Sequence, residues 1–400
     1  MKPLRTFAAA LLIGALPSLV MPGPVRAQDP PRFALQDGDR VVLAGDGLIE
    51  HAQHFGYIEA ALTVRRPGLT FRNVGWSGDT VSGEARDHYT HPPTGFDHLV
   101  EQLTAPQPTL AVLAYGGTLA FENDDALSEA VDGYHTLLDT LATRGIRCVL
   151  VSPIPHDEHM SPNPNVAVLN EQLAAVRDAF REIASVRECG WVDLFDAMAE
   201  EYEHAAQQGG SLTGNGMRLN EAGYRMLTRR LIKAMEPLHP DLSADLALDI
   251  DSGEVTGGTS YGSSEQETGV YAIVPNRLPY SWEARNVVVT GLSRGTYRLT
   301  AGGQTPAVGP ARAWQEGIAV HYPAETEQLA ALRRAIVDKN RLYFRQYRPQ
   351  NETYLVGFRQ YEQGQNAPEL TELDPIIHEK ENEIGRLRMA RPLVFTLTRE

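Results

Sequence analysis

Four short runs in this 400-residue chain gather residue types that could hold or act on an oxygen-rich ligand. They are Ala44-Gly45-Asp46-Gly47-Leu48-Ile49-Glu50, Asn73-Val74-Gly75-Trp76-Ser77-Gly78-Asp79-Thr80, Tyr115-Gly116-Gly117-Thr118 and Thr213-Gly214-Asn215-Gly216-Met217-Arg218-Leu219-Asn220. Gly47, Gly75, Gly78, Gly116 and Gly117 permit close backbone approach and present N–H donors, which suits an oxygen or a carboxylate. Arg218 adds a guanidinium that stays protonated and can grip a carboxylate with two parallel bonds. Acyl transfer would need a nucleophile whose proton a neighbouring base removes. Ser77 is a candidate nucleophile beside Gly78, with Asp79 near it. Candidate bases are His51, His54, His156 and His159, in loops expected after the first and fourth strands. Each has a plainer reading: Ser77 and Asp79 hold the turn of their loop, and loop histidines are solvated. The run His156-Asp157-Glu158-His159 lacks the i, i+4 spacing of a zinc helix and shows no third ligand, so no metal site is expected.

These runs need a scaffold that brings them to one edge. From Arg40 to about Met235 short apolar stretches alternate with amphipathic ones. Arg40–Ala44, Thr70–Gly75, Thr109–Tyr115, Arg147–Ser152 and Trp191–Leu194 read as strands, several aliphatic throughout, as in strands covered on both faces. Leu169, Leu173, Val176, Phe180 and Ile183 share one helical face, and a last helix runs from about Glu221 to Met235. The alternation predicts an α/β fold in three layers, a doubly wound parallel five-stranded sheet. Its carboxyl edge would carry all four runs, where such folds build their sites.

Taken together and in order, the four runs resemble the blocks of the SGNH/GDSL hydrolases, a superfamily of esterases and acylhydrolases. The resemblance covers about residues 37–236 and implies an SGNH-hydrolase/flavodoxin-like fold. It also implies an ester-hydrolase lineage, with a serine after Gly45-Asp46, where this chain has Gly47. The oxyanion-hole positions correspond to Gly47, Gly78 and Thr118, the last in place of the family's asparagine. The acid–base histidine corresponds to Arg218, and the aspartate three residues earlier to Asn215. Losing the serine or histidine of such a triad costs roughly 10⁶ in rate, and losing one oxyanion donor roughly 10²–10³. No catalytic position is intact, so the resemblance implies a pseudoenzyme whose cleft binds a small molecule or carbohydrate through Asp46, Ser77, Gly117 and Arg218. Two alternatives stand beside it. One is an active acyl or carbohydrate esterase with a relocated nucleophile such as Ser77. The other is a filled cleft in which Arg218 pairs with Asp46 or Glu221. The stretch from Leu332 to Leu387 is also similar to tails of some large secreted bacterial members.

The expected organisation is a signal peptide over 1–27, an SGNH-hydrolase-like domain over 28–237, a β-rich module over 238–323 and a helical, mixed tail over 324–400. The basic start, the apolar run Phe7–Met21 and the small residues at Val25 and Ala27 direct export to the periplasm or the exterior, with no membrane span after cleavage. After Pro240, short β-prone segments separated by glycines predict a small antiparallel module, followed by a helix from Glu325 carrying Leu329, Leu332 and Ile336. The tail is dense in aromatics (Tyr343, Phe344, Tyr347, Tyr354, Phe358 and Tyr361), which either meet a protein partner or pack the tail onto its own domain. With 36 basic against 51 acidic residues the formal charge is −15, which argues against nucleic acid as a partner. No dinucleotide or phosphate-loop fingerprint appears, so no cofactor is expected. Cys148 and Cys189, at the starts of adjacent strands, are either bonded or two buried thiols.

Overall fold

The computed structural model describes residues 35–87, 94–123, 125–235, 246–260, 270–279, 284–355 and 359–400. The expected export signal lies outside the described residues. The first unit is built on β1 (Arg40–Gly45), β2 (Thr70–Asn73), β3 (Leu110–Ala114), β4 (Arg147–Val151) and β5 (Gly190–Val192). All pair in parallel in the order β2-β1-β3-β4-β5. Alternation along β1 explains the layers: Val41 and Leu43 feed one core, while Val42 and Ala44 feed the other. The first core is covered by α1 (Gly47–Phe55), α2 (Tyr57–Arg65), α6 (Phe195–Gln207) and α7 (Glu221–Met235). The second is covered by α3 (Gly95–Thr104), α4 (Ala126–Ala142) and α5 (Val166–Val186), where Leu173, Val176, Phe180 and Ile183 are buried as the spacing requires. This is the three-layer parallel fold that the strand–helix alternation predicts. Cys148 and Cys189 are free, buried thiols, which corrects the disulfide alternative.

The C-terminal region has two sheets around a third core. One orders β13 (Ile318–Val320), β10 (Arg285–Thr290), β6 (Leu246–Asp249) and β7 (Val255–Thr256). Here β6 and β10 run parallel, unlike the antiparallel expectation, because a long connection rather than a hairpin joins them. The other orders β12 (Gln304–Pro310), β11 (Thr296–Ala301), β14 (Phe395–Arg399), β9 (Val270–Pro275) and β8 (Gly258–Ser260). The far C-terminal β14 therefore sits inside this sheet, antiparallel to both β9 and β11. Between the last strands come α8 (Ala311–Glu316), α9 (Pro323–Tyr347), the short α10 (Glu352–Leu355) and α11 (Gln360–Gln363), and α12 (Leu373–Leu387).

The long helix α9 ties the two regions together. Leu329, Leu332, Ala335 and Ile336 pack on Ala60 and Val64 of α2, and Tyr343 reaches the second core. Within this contact Lys339, 1% exposed, has its ammonium against the carboxylate of Glu59 and donates to the Phe71 carbonyl at 3.0 Å. Burial pulls that ammonium below the usual lysine range, and Glu59 draws it back. Among the described residues no helix is long and apolar enough to cross a membrane.

A buried pair of this kind is costly to break and far less costly to replace whole. Lys339→Met is expected to lower unfolding free energy by about 3–5 kcal/mol, because Glu59 is left charged without its partner. Adding Glu59→Leu is expected to recover most of it. Urea unfolding of the three proteins at pH 7 checks this, and equal midpoints for Lys339→Met and the parent would refute it.

Candidate functional site

The carboxyl ends of β1 and β3 meet through one side chain. Asp46 caps α1: its Oδ1 accepts the Leu48 N–H at 3.0 Å, and its Oδ2 accepts the Gly117 N–H at 2.9 Å. The carboxylate thus joins the first helix to the loop after β3. Burial pushes its pKa up to about 6, the two N–H donors pull it down, and nearby Asp79 adds a further upward push.

The loop after β2 is fixed from several sides. Gly75 lies so near α1 that a Cβ there would stand 2.4 Å from the Glu50 nitrogen, and Gly78 has φ +81°. Asp79, fully buried, pairs with Arg86 at 2.7 Å, and Arg86 also donates to the Val74 carbonyl at 2.8 Å. The Ser77 N–H donates to Glu50 Oε2. That same oxygen accepts from Arg348, just past α9, at 3.1 Å, while the Tyr347 hydroxyl donates to the Gly75 carbonyl at 2.9 Å. Trp76 has two guanidiniums over its ring, Arg348 at 3.9 Å and Arg86 at 5.1 Å from the centroid. The tail aromatics Tyr343 and Tyr347 accordingly pack on the α/β unit. Tyr361 is 78% exposed, and Phe358 lies outside the described residues.

These loops enclose a cavity of about 430 Å³ whose lining includes Asp46, Gly47, Ser77, Gly78, Gly117, Thr118 and Arg218. Seven of the eight residues named from the sequence as family positions or ligand contacts therefore converge. The eighth, Asn215, is outside the lining: its Oδ1 accepts the N–H groups of Met217 and Arg218, at 3.2 and 2.9 Å, and so shapes the turn that carries Arg218. Arg218 is exposed on the cavity wall, and among the described residues no ion pair holds it. The expected pairings are taken elsewhere: Asp46 is occupied by backbone donors, and Glu221 accepts the Tyr57 hydroxyl and meets Arg333. This corrects the filled-cleft alternative.

Gly47 differs from the other glycines of the site. It begins α1 in ordinary helical backbone, and a Cβ there would stand 3.4 Å from Ser77 Oγ and 3.9 Å from His51 Nδ1. Neither strain nor collision demands a glycine, so a side chain at this position would fit. His51 and His54 stand on α1 rather than in a loop, their rings 6.1 Å apart. His156 is buried, which pulls its imidazole pKa down, and its ring stacks on Phe121 at 5.5 Å. The residues 156–159 do not converge: Asp157 accepts the Thr213 hydroxyl, Glu158 accepts from Asn170, and His159 meets Glu203. Sequence reasoning missed Phe121, Met217 and the Tyr347–Arg348 clamp. Phe121 follows its glycine run closely enough to have been found, whereas the clamp depends on a contact across most of the chain.

A 2-1-3-4-5 parallel sheet with four loops converging on one cleft is the frame of the SGNH/GDSL hydrolases. Residues 44–226 match the GDSL-like Lipase/Acylhydrolase family, and the α/β unit they form belongs to that superfamily. A gut microbial diltiazem-metabolizing enzyme has a similar structure, aligned over 94% of this chain and 100% of its own at TM-score 0.65 and 14% identity. A catalytic mutant of an acetylxylan esterase from Geobacillus stearothermophilus aligns over 50% of this chain and 95% of its own, at TM-score 0.39 and 16% identity. A GDSL-like lipase from Bacteroides thetaiotaomicron aligns over 51% and 91%, at 0.37 and 16%. No curated protein matches the sequence.

Two outcomes follow from the geometry. Asp46 holds a proton in the folded chain between about pH 4 and 6, where the unfolded chain has already lost it. Stability from this group is therefore greatest below about pH 4 and falls by roughly 3 kcal/mol as pH rises to about 6. Asp46→Asn is expected to remove that share of the slope, read from thermal midpoints across the window against the parent. A superimposable slope in the variant would refute the assignment. For the clamp, Arg348→Ala is expected to speed amide exchange in residues 74–79 about tenfold, the loss of one charge-assisted bond, with β4 unchanged. Unaltered protection of 74–79 would show that the loop stands without the tail.

Proposed function

We propose that this cleft binds a small oxygen-bearing ligand and does not cleave it. The observation that supports the reading best is the chemistry at two positions of the cavity lining: Gly47 offers no nucleophile, and the guanidinium of Arg218 borders the cavity unpaired among the described residues. An arginine cannot take a proton from an attacking hydroxyl, but it can hold a carboxylate or polarise a carbonyl. Gly47 and Gly78 line the same cavity, so backbone N–H groups after β1 and β2 supply the remaining donors, the Gly117 N–H being taken by Asp46. Thr118 stands where the family's asparagine would donate.

A second reading is favoured by one geometric relation, the approach of Ser77 Oγ and His51 Nδ1 to the place a side chain would occupy at Gly47. In that reading Ser77 attacks and His51 takes its proton. Among the described residues no hydrogen bond joins the two, so the pair would have to close on substrate.

Fluorophosphonate labelling of the full chain, read by intact mass and peptide mapping, separates the readings. The expected result is no adduct under conditions that label an active esterase of the same fold. A stoichiometric adduct on Ser77, lost in His51→Ala, would overturn the binding reading and establish the relocated pair.

A further inference from the structure

The cavity lining holds two chemically unlike sets of groups, and the contrast bears on what it takes. One set is the backbone N–H groups of Gly47 and Gly78 with the exposed guanidinium of Arg218. The other is Phe121 and Met217, 52% and 46% exposed, which places two of the chain's exposed large apolar side chains on one rim. Apolar side chains gathered at a concave opening mark a contact surface more than scattered ones do. Phe121 is backed by the His156 ring at an interplanar angle of 23°, so the shelf is flat and extended, and burial of His156 favours its neutral form. Ile154 continues the apolar wall. Of the acidic groups on the lining, Glu84 and Glu122 are exposed to solvent, and both oxygens of Asp46 are occupied by N–H donors. Among the described residues the lining holds no Asn, Gln or Trp, the planar groups that usually read sugar hydroxyls and faces.

Resting on the binding reading above, we infer that the ligand is an aryl-bearing carboxylate: its carboxylate meets Arg218 and the glycine N–H groups, and its ring lies on the Phe121–His156 shelf against Met217. A cavity of about 430 Å³ accommodates a molecule of that size. Arg218 selects for the charge, and Phe121 selects for the flat apolar end.

Calorimetric titration of the full chain with trans-cinnamate, cinnamamide, acetate and a peracetylated xyloside tests this. Cinnamate is expected to bind at least tenfold more tightly than each of the others, the amide lacking the charge and acetate the ring. Arg218→Ala is expected to lose about tenfold in cinnamate affinity while leaving cinnamamide unchanged, and Phe121→Ala to weaken both aryl ligands. Both side chains are exposed, so circular dichroism should find each variant folded. Tighter binding of the xyloside would overturn the aryl-carboxylate assignment and leave the binding reading standing. No heat from any of the four would overturn both.

Discussion

A single buried carboxylate organises the functional edge of this protein. Asp46 ends β1, caps α1 and receives the Gly117 N–H from the loop after β3, so three elements meet at two oxygen atoms. The arrangement is electrostatically demanding, because burial opposes the charge that the two donors favour. What it secures is position: the first residues of α1 and of the turn Gly117–Phe121 cannot shift independently. None of these bonds involves a side chain at position 47, so the shape of the cleft is held by the neighbouring residue whatever stands there.

The second support comes from outside the α/β unit. Tyr347 and Arg348 reach the loop Gly75–Gly78 through a carbonyl, a carboxylate and the face of Trp76. Glu50 is the junction, taking the Ser77 N–H and the Arg348 guanidinium on one oxygen. The helix bearing these residues is itself seated by Lys339 on Glu59 and by the apolar contact with α2. The C-terminal region is thus part of the cleft's construction, although none of its described residues lines the cavity.

Much of this was legible in the residues. Solidly aliphatic runs such as Val41–Ala44 can only be strands covered twice, and the spacing from Leu169 to Ile183 fixes one buried helical face. Glycines at strand ends located the cleft, and the order of the four blocks gave its lineage. Other features had no local signature. Asn215, read as a lost acid, works as a turn former because its side chain is two and three residues from the N–H groups it accepts. The parallel pairing of β6 with β10 and the Tyr347–Gly75 contact join segments far apart in sequence, and no periodicity reports such partners.

The place of β14 constrains the order in which the molecule can be assembled. This strand lies between β9 and β11, yet α9 to α12 separate it in the chain from every other strand of its sheet. During translation β9 and the β11–β12 hairpin emerge long before it, with a vacant slot between them and unpaired edges on both sides. The α/β unit and the helix seated on it have time to form in that interval. The second sheet is then completed last, as a seam sewn by the final strand. Until that moment its open edges are the part of the nascent chain most exposed to pairing with a neighbour.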